Sequence, residues 1–394
     1  MLVNRIISSS VAGLVAVIVA FTSSVALIYQ TVISLGGDAS IASSWILTLG
    51  ISMGITSIGL SLYYRVPILI AWSTPGAALL IANNQHFTLN EAVAGFIFSA
   101  SLIFLSGISG WSEKLINKIP PQLASAMLAG ILVNFGIDVF NQMNDQPLLV
   151  IAMFLAYLIS KQLIPQFSML VVLFVSIVLA WQLNLVSFNE VIWELSEFKY
   201  ISPTFNLSAI ISIGLPLFIV TMAAQNLPGI AVLKAHHYDA PISSVLSVTG
   251  LVNLLAAPFG GYAINLAAIT AAICMTDEVD KDPQKRYWST VVAGVFYILM
   301  GISAGYLMGT LSVLPVALIY SLAGIALFNT IGNSIQHALS ENTLSEAAII
   351  TFLVTASNLT LWGISPVLWG LIVGVIALSC KRLLNKEAKA VTAN

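Results

Sequence analysis

The chain has 394 residues, of which 58% are hydrophobic and only 8% charged, with a mean hydropathy of +0.97. A soluble domain carries about 25% charged residues, so this composition excludes a soluble enzyme or a nucleic-acid-binding domain and leaves an integral membrane protein. The formal net charge of −2 says nothing of a polyanionic partner, and two cysteines, Cys274 and Cys380, with no CxxC or Cys/His cluster, provide neither a disulfide framework nor metal ligands.

Taken in chain order, the first apolar run covers residues 8–33 after a single Arg5 and is too long for the hydrophobic region of a signal peptide, so it reads as a retained first span. At roughly 20 apolar residues per crossing, further segments fall at 45–62, 66–82, 91–109, 122–140, 147–162 and 165–185. Beyond the polar stretch 187–206 come 207–230, 241–257, 258–276, 288–310, 314–332, 343–357 and 359–380. The expected fold is therefore all-α with fourteen spans, seven in 1–186 and seven in 207–394, joined by an extracellular connector at 187–206.

Charge sets the orientation. With the N-terminus in the cytoplasm, thirteen of the fourteen basic residues lie on the cytoplasmic face, and only Lys199 does not. Seven spans per half is an odd number, so the second half runs antiparallel to the first, as an inverted repeat. Both termini are then cytoplasmic.

Segments three and ten are damaged in matching ways. RVPILIAWSTPGAALLIA (Arg65–Ala82) and LLAAPFGGYAINLAAITAAICM (Leu254–Met275) each start as an extended-looking apolar stretch, break at Pro, Gly and small polar residues, and resume as helix formers. Freed backbone groups are tolerated in a bilayer only where they line a cavity or are buried in protein. The expectation is a short strand plus a half-helix in each repeat, with the half-helix N-termini at Ser73, Thr74, Pro75 and Gly76 and at Tyr262, Ala263, Ile264 and Asn265 facing one another. Pro75 suits the first turn of a helix, and Ser73, Thr74 and Asn265 are cap-type residues. Two helix N-termini aimed at one point make a site for an anion.

Mid-span polar residues extend the candidate set. Gln225 and Asn226 precede Pro228 and Gly229 in segment eight, and Trp72, Phe259 and Tyr262 flank the breaks as possible ring contacts. Ser23, Ser24 and Tyr29 of segment one, and Asn329 and Asn333 of segment twelve, are candidates for lining the cavity; small hydroxyls and amides also serve as helix-packing groups. Asp138 reads as a helix-end residue, and His337 as a solvated position just past its span. No phosphate-cradling GxxxxGK[ST] loop is present, and no mid-span serine has a base at plausible spacing, so no enzyme, cofactor or metal site is expected.

GLPLFIVTMAAQNLPGIAVL (Gly214–Leu233), FGGYAINLAAITAAI (Phe259–Ile273) and AWSTPGAALL (Ala71–Leu80) resemble the benzoate:proton symporter family of the BenE type, over nearly the whole chain. That family is distantly related to nucleobase/ascorbate transporters and sulfate permeases. The resemblance implies a core domain from segments 1–4 and 8–11 (about 8–109 and 207–310) and a gate domain from segments 5–7 and 12–14 (about 122–185 and 314–380). It places the substrate between segments three and ten, with contacts from segment eight. Where nucleobase carriers have two buried glutamates, this chain aligns Gln225 and Ile264, an exchange that suits an aromatic ring bearing its own carboxylate. The implied activity is import of benzoate or a similar aromatic carboxylate with protons by alternating access, in the inner membrane of a bacterium. An anion channel, a sulfate- or bicarbonate-type permease and, less well matched, a nucleobase carrier are the alternatives. The expected partners are the anion, protons and the lipid bilayer, with no nucleic acid; a homodimer is left open.

Overall fold

The computed structural model describes residues 2–82, 87–110, 120–186, 194–357, 359, 361 and 365–391, with side chains from 7 to 381 within those ranges. Of the basic residues used for orientation, Lys114 and Lys118 lie outside the described residues, as do the side chains of Arg5, Arg382, Lys386 and Lys389 and residues 187–193 of the connector.

All fourteen expected segments are present. The first repeat comprises α1 (Leu2–Ser34), α2 (Ala39–Tyr64), the broken pair β1 (Ile70–Trp72) and α3 (Thr74–Ala82), α4 (Leu89–Ser109), α5 (Pro121–Asn141), α6 (Pro147–Leu163) and α7 (Ser168–Gln182). The second comprises α8 (Leu207–Ala235), α9 (Ile242–Ala256), the broken pair β2 (Ile264–Leu266) and α10 (Ile269–Ile273), α11 (Tyr287–Ile302) with α12 (Ala304–Ser312), α13 (Val316–Ala338), α14 (Ser345–Ala356) and α15 (Pro366–Val391).

Local chemistry explains the boundaries. Asp38 caps α2 by accepting from the Ile41 N–H at 2.8 Å, and Thr88 with Glu91 forms a capping box on α4. Pro121 and Pro147 open α5 and α6, where a missing N–H costs nothing. Expected segment 288–310 is not straight: α11 and α12 meet at Ser303 with a bend of 53°. Helix α8 carries two π-turns, Ile210–Gly214 and Met222–Asn226, each just before a proline (Pro216 and Pro228) that cannot donate to the preceding turn. His337 lies within the last turn of α13 rather than beyond it. Asp138 is in the last turn of α5, where the Asn141 amide donates to it at 3.2 Å.

By packing, α2 lies along α11, α4 along α9, and α1 along α11, α13 and α3, while α5 packs on α13 and α14, α14 on α15, and α6 on α7. Close approach of α2 to α11 depends on small residues: a Cβ at Gly50 would stand 2.6 Å from the Tyr297 carbonyl oxygen. The described part of the connector runs extended over one end of the bundle. It is held there by Lys199 N–H to Ser44 Oγ (2.8 Å), Ile201 N–H to the Pro258 carbonyl (2.7 Å) and Thr204 N–H to the Asn90 carbonyl (3.0 Å).

Candidate functional site

The two breaks meet. β1 and β2 pair antiparallel, with Ile70 opposite Leu266, Ala71 opposite Asn265 and Trp72 opposite Ile264. Ser73 N–H to the Ala263 carbonyl (3.0 Å) and Ala267 N–H to the Leu69 carbonyl (2.9 Å) extend the ladder at both ends. The repeats are thereby hydrogen-bonded to each other at the point where each helix is interrupted.

A two-stranded sheet still has two bare edges, and in a bilayer interior those edges must be closed by protein. On β1, Ile70 N–H donates to Ser57 Oγ at 2.9 Å, and the Ser61 hydroxyl accepts from Ile68 N–H (3.2 Å) and donates to the Ile68 carbonyl (2.9 Å). Thr290 of α11 donates to the same Ser61 oxygen at 2.8 Å. On β2, the Asn253 side chain takes both backbone groups of Ile264, accepting from its N–H at 2.7 Å and donating to its carbonyl at 2.9 Å. Asn226 Oδ1 accepts from Leu266 N–H at 3.0 Å, and its amide nitrogen contacts Met222 sulfur at 3.3 Å. Ser57, Ser61, Asn253 and Thr290 were not among the sequence candidates. The signal that marks them is a polar side chain inside an apolar helix, which in lipid needs a partner.

The first half-helix starts where expected. Ser73, fully buried, accepts the Gly76 N–H on its hydroxyl at 3.0 Å, and its carbonyl takes the Ala77 N–H at 3.0 Å. Pro75 has no N–H, so of the first-turn donors only Thr74 N–H has no partner among the described residues. The Thr74 hydroxyl shares a 2.8 Å hydrogen bond with Ser24 of α1, and Ser23 lies 3.3 Å from Ser24. Tyr29 of α1 is buried, at 9% exposure.

The second half-helix corrects the expectation. It begins at Ile269, and Tyr262, Ala263, Ile264 and Asn265 form the buried strand and its approach, each at most 1% exposed. Their backbone donors are not free for an anion: Ile264 N–H goes to Asn253, Leu266 N–H to Asn226, and Asn265 lies in the ladder. The Asn265 side chain, with its amide oriented to suit its neighbours, donates to the Leu266 carbonyl (3.1 Å) and accepts from Ser73 N–H (3.3 Å). The five-residue α10 is also too short to focus much dipole.

The aromatic candidates are placed apart. Tyr262 donates its hydroxyl to the Ser73 carbonyl at 3.0 Å and packs against Trp45 and Phe96, with centroids 5.9 and 6.2 Å away. Trp72 is buried edge-on to Phe21 at 4.7 Å. Phe259 meets Phe198 and Tyr200 of the connector, both at 5.8 Å, at the outer rim rather than at the strand crossing. Asn329 and Asn333 are exposed on α13.

Around the crossing, where α1, α3, α8 and α10 converge, the partly open positions include Ser23, Thr74, Gln225 and Ala268, and Ile269 at the start of α10 is 74% exposed. Gln225 sits in the π-turn of α8, and its amide has no hydrogen-bond partner among the described residues. Ser23, Thr74 and Gln225 are neutral polar residues, Ala268 and Ile269 are apolar, and none of the five carries a charge. Ile269 went unnoticed in sequence because nothing separates it from its apolar neighbours. Among the described residues, no group of three or more His, Cys, Asp or Glu is placed to hold a metal.

The family model described as benzoate membrane transport protein matches residues 4–380. The inner membrane protein YdcO of Escherichia coli is 43% identical over 374 residues, 95% of each chain, and the benzoate membrane transport protein of Acinetobacter baylyi is 35% identical over 371 residues, 94% of each chain. Among solved structures, the transmembrane domain of the cyanobacterial bicarbonate transporter BicA superposes with a TM-score of 0.65 at 14% identity, covering 94% of this chain and 97% of that one. SLC26A9 superposes with a TM-score of 0.63 at 13% identity, covering 96% of this chain and 66% of that one. At such identities the structural likeness speaks to fold alone.

Proposed function

Because the chain belongs to the benzoate membrane transport protein family, we propose that it is a secondary transporter that imports benzoate or a similar aromatic carboxylate together with protons. The observation that carries this reading is the uncharged rim of the strand crossing. Thr74 N–H and the unpartnered Gln225 amide supply donors for a carboxylate, the Thr74 hydroxyl can turn from Ser24 to join them, and Ile269 supplies apolar surface for a ring. A carboxylate at this rim would repel the substrate, and none is present there among the described residues.

Alternating access would move the group formed by α1–α4 and α8–α12, as a core carrying the site, past the gate formed by α5–α7 and α13–α15. The charge distribution favours both termini inside, and the 43% identical inner membrane protein of Escherichia coli supports a bacterial cytoplasmic membrane.

Uptake of labelled benzoate into proteoliposomes tests the proposal. Protein-free liposomes must be run beside them, because neutral benzoic acid crosses lipid unaided. Protein-dependent uptake that rises with an inward proton gradient, and collapses with a protonophore, is expected; uptake indifferent to the gradient rejects symport.

Charge recognition gives a second expected result. Benzamide keeps the ring and loses the charge, so it should compete with benzoate more weakly by about 1.5–3 kcal/mol, the worth of a charge-assisted hydrogen bond. Equal inhibition by the two compounds removes the carboxylate from the recognition step.

Gln225 is the side chain whose charge can be changed with least disturbance. Gln225→Ala should raise the half-saturation concentration at normal protein abundance. Gln225→Glu should raise it further, because a new negative charge beside the substrate is poorly screened. Normal transport by Gln225→Glu at neutral pH places Gln225 away from the carboxylate.

A further inference from the structure

Among the described residues only two charged side chains are buried, Arg286 at 6% exposure and Asp280 at 7%. Both lie in the short connection between α10 and α11. A guanidinium taken out of water is costly unless its N–H groups are met, and here each of its nitrogens has a partner. Arg286 Nη1 donates to the Met275 carbonyl at 2.7 Å, Nε to the Asp280 carbonyl at 2.8 Å, and Nη2 to the Asp277 carboxylate. In the first turn of α11, the Ser289 hydroxyl lies 3.0 Å from the Cys274 carbonyl and 2.6 Å from that of Arg286, so its proton serves either.

Cys274 and Met275 follow directly on α10, and both are fully buried. A helix of five residues does not hold itself together, because its nucleation costs more than so few hydrogen bonds return, and the carbonyls at its end have no helical partner. Helix α10 is therefore fixed from outside at both ends. In front, Asn253 and Asn226 hold β2; behind, Arg286 anchors it to the start of α11, a helix packed along α2 and α1. Ile269 lies between the two anchors. The connection is itself braced, with the Asp282 N–H on the Asp280 carboxylate at 2.9 Å, the Gln284 N–H on Asp282 at 3.1 Å, and the Tyr238 hydroxyl donating to the Pro283 carbonyl at 2.8 Å. The Asp277 side chain is 90% exposed, so its ion pair with Arg286 is screened by water and adds little.

We propose that Arg286 is a positioning residue for transport: by gripping the Met275 and Asp280 carbonyls it fixes the end of α10, and with it the place of Ile269 at the substrate rim. Lysine offers one compact ammonium where the guanidinium spreads its donors over a rigid fork, so charge alone replaces the grip only in part. The grip on α10 stands by itself, whereas its consequence for the substrate rests on the reading of the rim as a benzoate site.

The native thiol beside the grip tests it. In a Cys380→Ser background Cys274 is the sole thiol, and because it is buried, N-ethylmaleimide should reach it only when α10 works loose. Labelling rate and benzoate uptake are measured in proteoliposomes for that background and with Arg286→Gln, Arg286→Lys or Asp277→Asn added. Arg286→Gln is expected to label much faster and to raise the half-saturation concentration by roughly tenfold, the worth of one charge-assisted hydrogen bond, at a maximal rate near that of the background. Benzoate should slow this labelling, since a substrate that needs α10 in place must in turn favour that place. Arg286→Lys should recover part of both effects, and Asp277→Asn should match the background. If Arg286→Gln does not accumulate as folded protein, Arg286→Lys against Asp277→Asn carries the same two comparisons. A Cys274 that stays unreactive in folded Arg286→Gln overturns the grip, and fast labelling with an unchanged half-saturation concentration overturns the positioning role. Fast labelling in Arg286→Gln with no benzoate uptake by the background protein upholds the grip and counts against the aromatic carboxylate.

Discussion

Replacing Ile269 with tryptophan is expected to abolish benzoate uptake while leaving the protein folded and abundant. The side chain is 74% exposed at the first position of α10, so an indole there enters open space rather than the core. It would fill the apolar side of the rim where a phenyl ring is proposed to lie, and a small inorganic anion would still have room. The same exchange at Ile264, the residue singled out from sequence, has a different expected outcome. Ile264 is fully buried and held on both backbone groups by Asn253, so extra volume there strains the strand by about 1–3 kcal/mol or more. Tyr262→Ala likewise removes a fully buried ring that ties β2 to Ser73, and its loss of about 3–5 kcal/mol should appear as instability rather than as weakened affinity. Benzoate uptake, read beside size-exclusion profiles and melting temperature, separates the cases. Wild-type uptake by Ile269→Trp eliminates the proposed ring site.

Asn253→Leu in α9 should be strongly destabilising. Leucine keeps the branching and heavy-atom count of asparagine, yet it strands the Ile264 N–H and carbonyl on the outer edge of β2, each at a cost of about 1–3 kcal/mol for an unmet buried hydrogen bond. The strand would then lose its register with β1 and displace Asn265 and α10 behind it. A large fall in melting temperature in detergent is expected, with loss of uptake in the fraction that survives. Leu→Ala at an exposed, lipid-facing position such as Leu155 provides the comparison, since it removes more atoms and breaks no hydrogen bond. An unchanged melting temperature for Asn253→Leu means that the strand edge is satisfied in another way.

Much of the architecture was legible because a bilayer imposes it one segment at a time. A crossing needs a fixed length of apolar residues, and prolines and glycines interrupt helices by their own backbone chemistry. Fourteen spans, their antiparallel halves and the two breaks at Arg65–Ala82 and Leu254–Met275 follow from those local requirements. The Ser73 cap on α3 was equally readable, since serine before Thr-Pro-Gly satisfies its own helix within four residues.

What the chain could not disclose locally is which broken backbone groups satisfy each other. Ala71 pairs with Asn265, and Ile70 with Leu266, across nearly two hundred positions of sequence, and that pairing together with the Asn253 and Asn226 side chains consumes the β2 donors that the sequence offers to an anion. Asn226 looks like a substrate contact in sequence and acts as an edge clamp in the fold; its neighbour Gln225, with the same amide, is left open. Tyr262 and Ile269 are apolar residues of one broken segment, one sealed against Trp45 and Phe96 and the other exposed. Sequence by itself determined that this is a membrane protein of two inverted halves, each with a broken span, because hydropathy, charge and proline act through neighbouring residues. The tertiary structure alone decided which side chains close the strands and which face the open cleft, because burial of a given side chain depends on what packs against it from far along the chain.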